Sequence, residues 1–522
     1  MDVLITHLRI PVEQDGIDTY RKAVSQKLNM SEDDIQVVKI VSKSLDATIK
    51  EQFYYEVSIV VRTTCPFDIN NGLSVYTEKE RTERNHTTLK EKPIIIGFGP
   101  AGMFAALELL EHGIQPLIFE RGKRIEERHI DVERFIHEQV LNPESNIQFG
   151  EGGAGSYSDG KLFSRIKNSN YVGKVLDTFI KFGAPEEIGY VSKPHIGTDV
   201  LCRIVKNIRH HILERGGEIH YSSKMTVLLI VDGKAYGVVI NGEREICSSM
   251  IYLALGHSAR DTFEMVYSKG VALEQKPISV GVRIEHPAQT INRMRYGEKY
   301  KNFPGLGAAT YSLNYTDRKI HRGVYTFCMC PGGEIINASS EHGMLVLNGM
   351  SYSRRSSAFS NSALVVTCHT SDYPSASPLA GIGFQREIER KVFASAGGTW
   401  NVPAQNLIDF LCGKSSQELR RHSLIMGAVA VPLAEILPVF VSKMLTAAFD
   451  AWKEKYPLFV SEEAIIFGAE TRTSSPVRIK RNENFESVSI KNLYPIGEGS
   501  GYTGGITSSA VDALKAIERS FG

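Results

Sequence analysis

Three glycines in one short run, Gly97, Gly99 and Gly102 of G-F-G-P-A-G, have the G-x-G-x-x-G spacing that lets backbone close against a pyrophosphate. The first glycine permits a tight turn, the second lets the chain approach phosphate oxygens, and the third lets a following helix pack closely on the preceding strand. Pro100 and Ala101 complete the turn, where a helix would aim its free N–H groups and positive dipole end at the phosphate charge. Glu120 stands 23 residues after Gly97, near the spacing at which an acid accepts a hydrogen bond from a ribose 2′-OH and disfavours a 2′-phosphate. The chemistry these residues imply is dinucleotide binding.

Such a glycine pattern is specific only in context, and the elements around it come in the required order. An apolar strand from Pro93 precedes the turn. A helix with small residues near its start follows, stopping near Gly113, a favoured C-terminal position, and residues 115–119 form a second apolar run short enough for a buried parallel strand. A hairpin pattern at 226–231 and 235–240 and a further buried strand at 249–255, ending in Gly256, extend this unit past residue 250. From about 276 to 461 the βαβ rhythm is lost, and from 493 to 519 it returns as strand, glycine turn and helix, the helix starting near Gly505 or Ile506. Residues before 64 read as strands at 3–12, 35–44 and 53–63 with an amphipathic helix at 17–28.

Two more glycine stretches extend the argument. Residues 148–162, QFGEGGAGSYSDGKL, hold five glycines, a density suited to backbone that must approach a flat ring or a phosphate. Gly152, Gly153, Ala154, Gly155, Ser158, Asp159, Gly160 and Lys161 are its candidate contacts, with Arg121 and Arg128 from the preceding Arg-rich segment. The ending PIGEGSGYTGGITSSAVDAL resembles the second FAD signature of the glutathione-reductase superfamily, which implies ligand contacts from Gly497, Glu498, Gly504, Gly505 and Ile506; the usual Gly-Asp is here Gly497-Glu498, one methylene longer. Together with ALGHSARDTF, SVGVRIEHPAQ, FCMCPGGEIINASSEHG, NGMSYSRRSSAFSNSALVV and ETRTSSPVRI, these stretches resemble the bacterial FAD-dependent dehydrogenase family, related more distantly to flavoproteins of the p-hydroxybenzoate-hydroxylase type. In the strand segment often written A-T-G, this chain has Ala254, Leu255 and Gly256, so any threonine hydroxyl contact is lost. The resemblance covers most of the chain and implies FAD and redox chemistry without naming a substrate.

The expected architecture is α/β: a Rossmann-like FAD-binding domain at 93–275 and 462–522, an inserted α+β substrate domain at 276–461, and a small N-terminal α/β module at 1–77 joined by a charged linker at 78–92. No second strand-G-x-G-x-x-G-helix unit occurs, since GIGFQRE at Gly381 lacks the third glycine, so NADH or NADPH is expected to bind only transiently, or electrons to come from another donor. Polar clusters in otherwise apolar text supply catalytic candidates: Arg283, Glu285 and His286 in GVRIEHP, and Arg472, Ser474 and Ser475 in ETRTSSP. An arginine there could bind a carboxylate or phosphate and a histidine could relay a proton, although each alone is more often a residue that satisfies a buried polar need. Cys328 and Cys330 form a C-x-C pair without the second ligand pair that zinc requires, so the alternatives are a thiol relay to the flavin or plain buried cysteines. A dehydrogenase or reductase acting on a small molecule is the leading expectation; a flavin monooxygenase and a non-enzymatic FAD-binding module that docks a protein partner through the N-terminal residues are the alternatives.

Composition narrows the partners. Sixty Lys+Arg stand against 59 Asp+Glu, so no overall field would recruit nucleic acid or an anionic membrane. The longest apolar stretch, 424–441, is interrupted by Pro432, Glu435 and Pro438, which argues against a membrane span. Seven scattered cysteines suit reduced thiols, and the opening residues lack a secretion pattern, so a cytoplasmic location is expected.

Overall fold

The computed structural model of the chain describes residues 2–64, 74–77, 87, 89–163 and 170–521. Most of the segment expected to be a charged linker, 78–92, lies outside these residues. The chain is mixed α/β, and its centre is a five-stranded sheet in the spatial order Leu493–Pro495, Ile251–Leu253, Ile94–Ile96, Leu117–Phe119 and Glu218–His220, with every pairing parallel. Ile94, Ile95 and Ile96 are all buried, as a parallel strand covered on both faces must be. The chain therefore builds four strands of this sheet early, departs for about 240 residues, and returns to add the fifth at one edge.

Helix Pro100–Glu111 leaves the central strand and is apolar nearly all round, with Ala101 to Leu110 buried. A helix of that character needs cover on every side. It receives cover from the sheet and from two amphipathic helices, Thr198–Glu214 and Ile506–Phe521. The hairpin expected after residue 225 is present as Met225–Val231 and Lys234–Ile240, extended by Arg244–Cys247 into a three-stranded antiparallel sheet.

The departure builds a seven-stranded sheet in the order Asn314–Asp317, Arg322–Cys330, Phe359–Cys368, Ile278–Pro287, Ile465–Glu470, Val402–Asn406 and Ala428–Ala430. Its strands are antiparallel except for the last pair. Strand Ile465–Glu470 sits centrally in this sheet, so the unit continues past the boundary expected at 461. Along Ile278–Pro287, side chains alternate faces. Val280, Val282 and Ile284 enter the large core with Phe449 and Phe459 of and beyond helix Val439–Trp452, while Arg283 and Glu285 face the other way. The apolar stretch 424–441 is divided among a short strand, a one-turn helix and the start of that helix, and among the described residues no helix is long and apolar enough to cross a membrane.

The N-terminal residues form their own antiparallel sheet, ordered Ile35–Asp46, Tyr54–Thr63, Asp2–Pro11 and Ser74–Val75, with helix Ile17–Leu28 packed on it. Its burial is shared, however. Phe53 stacks on Tyr300 with ring centroids 4.3 Å apart, and both belong to the large core. Burying one such ring is worth about 1.5–3 kcal/mol. Lys43 in the edge strand exchanges backbone hydrogen bonds with residues 190–192 of the parallel-sheet unit, at 2.8 Å to the Tyr190 carbonyl and 3.0 Å from the Ser192 N–H. The module thus docks on both larger units.

Candidate functional site

The first glycine turn is set by contacts that admit no side chain. Gly97 has φ of 100°, and a Cβ there would lie 2.4 Å from the Ala254 carbonyl oxygen; a Cβ on Gly102 would lie 2.0 Å from the Gly97 oxygen. Gly99 caps helix Pro100–Glu111 without any side-chain cap, proline occupies the first turn, and no acid stands there. The positive end of the helix is therefore open to an anion.

The other two glycine stretches converge on this turn. A Cβ on Gly153 would meet the Gly99 Cα at 3.1 Å, and one on Gly155 would touch Ile506 at 3.2 Å and Pro100 at 3.8 Å. A Cβ on Gly497 would lie 2.5 Å from the Ala101 Cβ, and one on Gly499 would lie 2.7 Å from the Gly256 oxygen. Gly256 and Gly505, with φ of 65° and 92°, face open space. The N-terminal ends of two helices, Pro100–Glu111 and Ile506–Phe521, thereby share one groove walled by the 150–160 loop and floored by the ends of the parallel strands.

Glu120 ties these parts together. Its Oε2 accepts the Phe98 N–H at 2.8 Å, and its Oε1 accepts those of Gly122 at 2.9 Å and Gly150 at 3.0 Å. A carboxylate offers about four lone-pair sites, so one remains for a ribose hydroxyl. Arg121 pairs with Glu144 at 2.6 Å and Asp261 at 3.0 Å, lies over the Phe149 ring, and separates two cavities of about 310 and 320 Å³.

Arg128, expected to contact the cofactor, does something else. It is fully buried and donates to the carbonyls of Asn146, Ile147, Glu151 and Gly153 at 2.7 to 3.0 Å. Its side chain also fills the space a Gly150 Cβ would need, at 2.4 Å. The guanidinium is consumed in shaping the glycine loop, and burial pulls its pKa down. Further along that loop, Gly152 leaves room for Ser156, the Ser158 hydroxyl bridges the Gly155 carbonyl and the Gly160 N–H, and Ala154 opens a short helical turn. Asp159 is buried and accepts from Ser351, Arg355 and Lys161. At the other wall, Glu498 is pushed up to about 7 by burial, against the pull of Lys276 and of the Gly505 N–H; Gly504 lies beside it.

Of the four catalytic candidates, Arg283 and Cys330 are brought into contact, Arg283 Nη2 donating to the Cys330 Sγ at 3.5 Å, while His286 and Arg472 are engaged elsewhere. His286 shares the apolar face of its strand with Val282 and Ile284, stacks on Phe459 at 4.9 Å, bonds the Phe459 carbonyl at 2.8 Å and is pushed down to about 4 by burial. It is a core histidine, remote in role from any proton relay. Arg283 is fully buried, paired with Glu470 at 2.8 Å and donating to Asn361 and to the Cys328 carbonyl, both at 2.8 Å. Glu285, on that same face, accepts from Ser423. Arg472 shares Glu389 with Arg260, at 2.8 and 2.7 Å, and reaches Ser340 at 2.7 Å and Ser258 at 3.3 Å, so it closes the seam between the two large units. Ser475 is buried and bonds within its own turn, and Ser474 accepts from Lys276 at 3.2 Å.

Simple strand alternation also fails at the C-x-C pair. A bulge between Phe327 and Cys330 puts Cys328 at φ of 42°, leaving Cys328 exposed and Cys330 buried. The Cys330 thiol donates to the Cys328 carbonyl at 3.3 Å, and burial raises its pKa, so it is not activated. All six described cysteines are free thiols. The residues that sequence reasoning passed over are Ser351 and Arg355, which lie in the polar stretch NGMSYSRRSSAF; its doublet of arginines was the available signal.

A parallel sheet with two helix N-termini beside glycine turns is the arrangement of a dinucleotide-binding protein, because glycine leaves backbone and not side chains free to approach a ligand. Residues 277–473 match the family described as FAD-dependent protein, C-terminal domain-like. The chain is 42% identical over 529 residues to an uncharacterised protein of Clostridium beijerinckii, an alignment spanning 99% of this chain and 98% of that one. The chain belongs to this family of FAD-dependent proteins, and FAD is its cofactor. Among solved structures, it is similar to a geranylgeranyl bacteriochlorophyll reductase-like protein from Thermoplasma acidophilum (11% identity, 82% of this chain and 77% of that one, TM-score 0.36). A 3-ketosteroid-Δ4-(5α)-dehydrogenase from Rhodococcus jostii (11%, 84% and 98%, TM-score 0.34) and CtdE in complex with FAD (12%, 82% and 83%, TM-score 0.31) are also similar.

Proposed function

We propose that the protein is an FAD-dependent oxidoreductase, a dehydrogenase or reductase acting on a small molecule bound where the glycine groove meets the large-sheet unit. The convergence of residues 97–102, 150–160 and 497–505 on one groove carries this reading. FAD held there supplies hydride transfer at its ring nitrogen N5. The chain's part is to bind and orient. Helix Pro100–Glu111 and helix Ile506–Phe521 would offer free N–H groups to the FAD phosphate and ring oxygens, and the fourth acceptor site of Glu120 would serve the ribose. The large-sheet unit is fixed against the parallel-sheet unit through the buried Arg472, Glu389 and Arg260, which would hold the substrate side in place beside the groove. Glu498, with a pKa near 7, can hold or release a proton at neutral pH beside Gly505.

Gly381 lies inside helix Ala380–Ser395, and the described residues hold one glycine-turn nucleotide unit. A nicotinamide donor would therefore visit the flavin face transiently, discharge its hydride and leave. Anaerobic mixing of the yellow protein with NADH and NADPH tests the proposal, with bleaching of the flavin absorption expected for at least one donor and reoxidation expected with a small-molecule acceptor. A folded protein that neither contains nor takes up FAD would sink it. So would FAD-loaded protein that exchanges hydride with no donor and no acceptor.

A further inference from the structure

Two cations share one carboxylate at the end of the glycine loop. Asp159, 3% exposed, accepts Lys161 Nζ at 2.8 Å and Arg355 Nε and Nη2 at 3.0 and 2.5 Å. One positive charge is left over. The Arg355 side chain is 15% exposed and that of Lys161 38%, so the surplus charge is reachable at Lys161. His195, bridged to Lys161 through the backbone, is held below its ordinary pKa by burial and adds no charge at neutral pH. An ammonium has three donors. Lys161 spends one on Asp159 and one on the Met329 carbonyl, which leaves the third open among the described residues.

Two exposed aromatic residues flank Lys161 and its carbonyl acceptor along the chain. The bulge beside Met329 leaves Phe327 37% exposed, and Phe163, two residues beyond Lys161, is 63% exposed. Intervening Leu162 is anchored to the cofactor groove, its carbonyl accepting from Thr507 at 2.8 Å in the first turn of helix Ile506–Phe521, and Gly155 of the same loop rests on Ile506. An accessible edge with one unspent cation and two exposed rings suits a ligand with an anionic oxygen and an apolar body.

We propose that Lys161 recognises the substrate, and that the substrate is an apolar or aromatic carboxylate or enolate seated against Phe163 and Phe327 at the cofactor groove. The proposal rests on the oxidoreductase reading above, since it places the ligand beside the bound flavin. It also moves Lys161 from the cofactor's contacts to the substrate's.

Benzoate and its neutral analogue benzamide are the probes, titrated by calorimetry and flavin difference spectra into FAD-loaded wild type, Lys161→Met and Lys161→Arg. Benzoate is expected to bind saturably and at least about tenfold more tightly than benzamide. Lys161→Met should lose that margin by weakening benzoate alone, and Lys161→Arg should restore it. Equal affinity for the two probes, no benzoate binding, or an unchanged benzoate affinity in Lys161→Met overturns the proposal. Flavin content measured in the same samples separates the two ideas. Absence of FAD from folded wild type defeats the oxidoreductase reading, whereas FAD-loaded protein indifferent to ligand charge defeats only the assignment of Lys161.

Discussion

Glu120 offers the sharpest measurement, because its carboxylate has been given two tasks. Three buried N–H groups, from Phe98, Gly122 and Gly150, depend on it at 2.8 to 3.0 Å. Leaving a buried donor unsatisfied costs roughly 1–3 kcal/mol, so Glu120→Ala would cost about 3–9 kcal/mol if nothing relaxed. Water entering the vacated space recovers part of that, and a loss of about 3–5 kcal/mol in the cofactor-free protein is expected. Loss of the ribose contact adds a separate deficit of roughly 1.5–3 kcal/mol in FAD binding, a tenfold to hundredfold weaker affinity. Glu120→Gln divides the two effects. Its remaining carbonyl can still serve Gly122 and Gly150, which both bond Oε1, while the new amide faces the Phe98 donor. It should therefore lose about 1–3 kcal/mol of stability. Urea unfolding of stripped protein reads the first deficit, and fluorescence titration with FAD reads the second. If the stripped Glu120→Ala protein unfolds at the wild-type urea concentration, the three-donor account is wrong.

Other outcomes follow from buried groups. Arg128→Met should leave four carbonyls without their donor and strip FAD from the protein by loosening residues 146–153, and Arg128→Lys should not rescue it, because one ammonium cannot reach four acceptors; flavin content after gel filtration decides. His286, with a folded pKa near 4 against 6.5 unfolded, binds its proton more readily in the unfolded chain, so its contribution is complete above pH 6.5 and is lost as pH falls towards 4. The shift corresponds to about 3 kcal/mol, and His286→Gln should flatten that part of the pH–stability curve; an unchanged slope would refute the assignment. Replacing both Cys328 and Cys330 with serine should leave the flavin spectrum and the rate of reduction by a nicotinamide unaltered. A missing charge-transfer band or a lost thiol-dependent half-reaction would place the protein among thiol-redox flavoenzymes instead.

Much of the framework was legible. Helix Ile17–Leu28 and the start of the last helix at Ile506 stand where periodicity and glycine placed them, because amphipathic spacing and chain breakers act locally. Strand Ile465–Glu470 was harder to assign, since a central strand of a large sheet and a strand of a parallel sheet are both short buried apolar runs. The partners of the catalytic candidates were hidden for a related reason. A polar residue in apolar text signals only that a partner exists, and for Arg283 the partner is Glu470, almost two hundred residues away. His286 was more accessible to reasoning: counting by twos from Val280 puts it on the apolar face. The turn of Cys328 to positive φ follows from no local pattern, because the bulge is imposed by pairing with Phe359–Cys368.

The groove also carries a schedule. Ile506, which lies against Gly155, is 409 residues after Gly97 in the order of synthesis. At roughly 5–20 residues per second the interval is about 20–80 s. Throughout it, the apolar flank of helix Pro100–Glu111 that helix Ile506–Phe521 will cover lacks its final neighbour, and the phosphate-binding turn exists before the groove does. Flavin capture would therefore wait for helix Ile506–Phe521, and a nascent chain halted before that helix would present a sticky helix face to chaperones while remaining colourless.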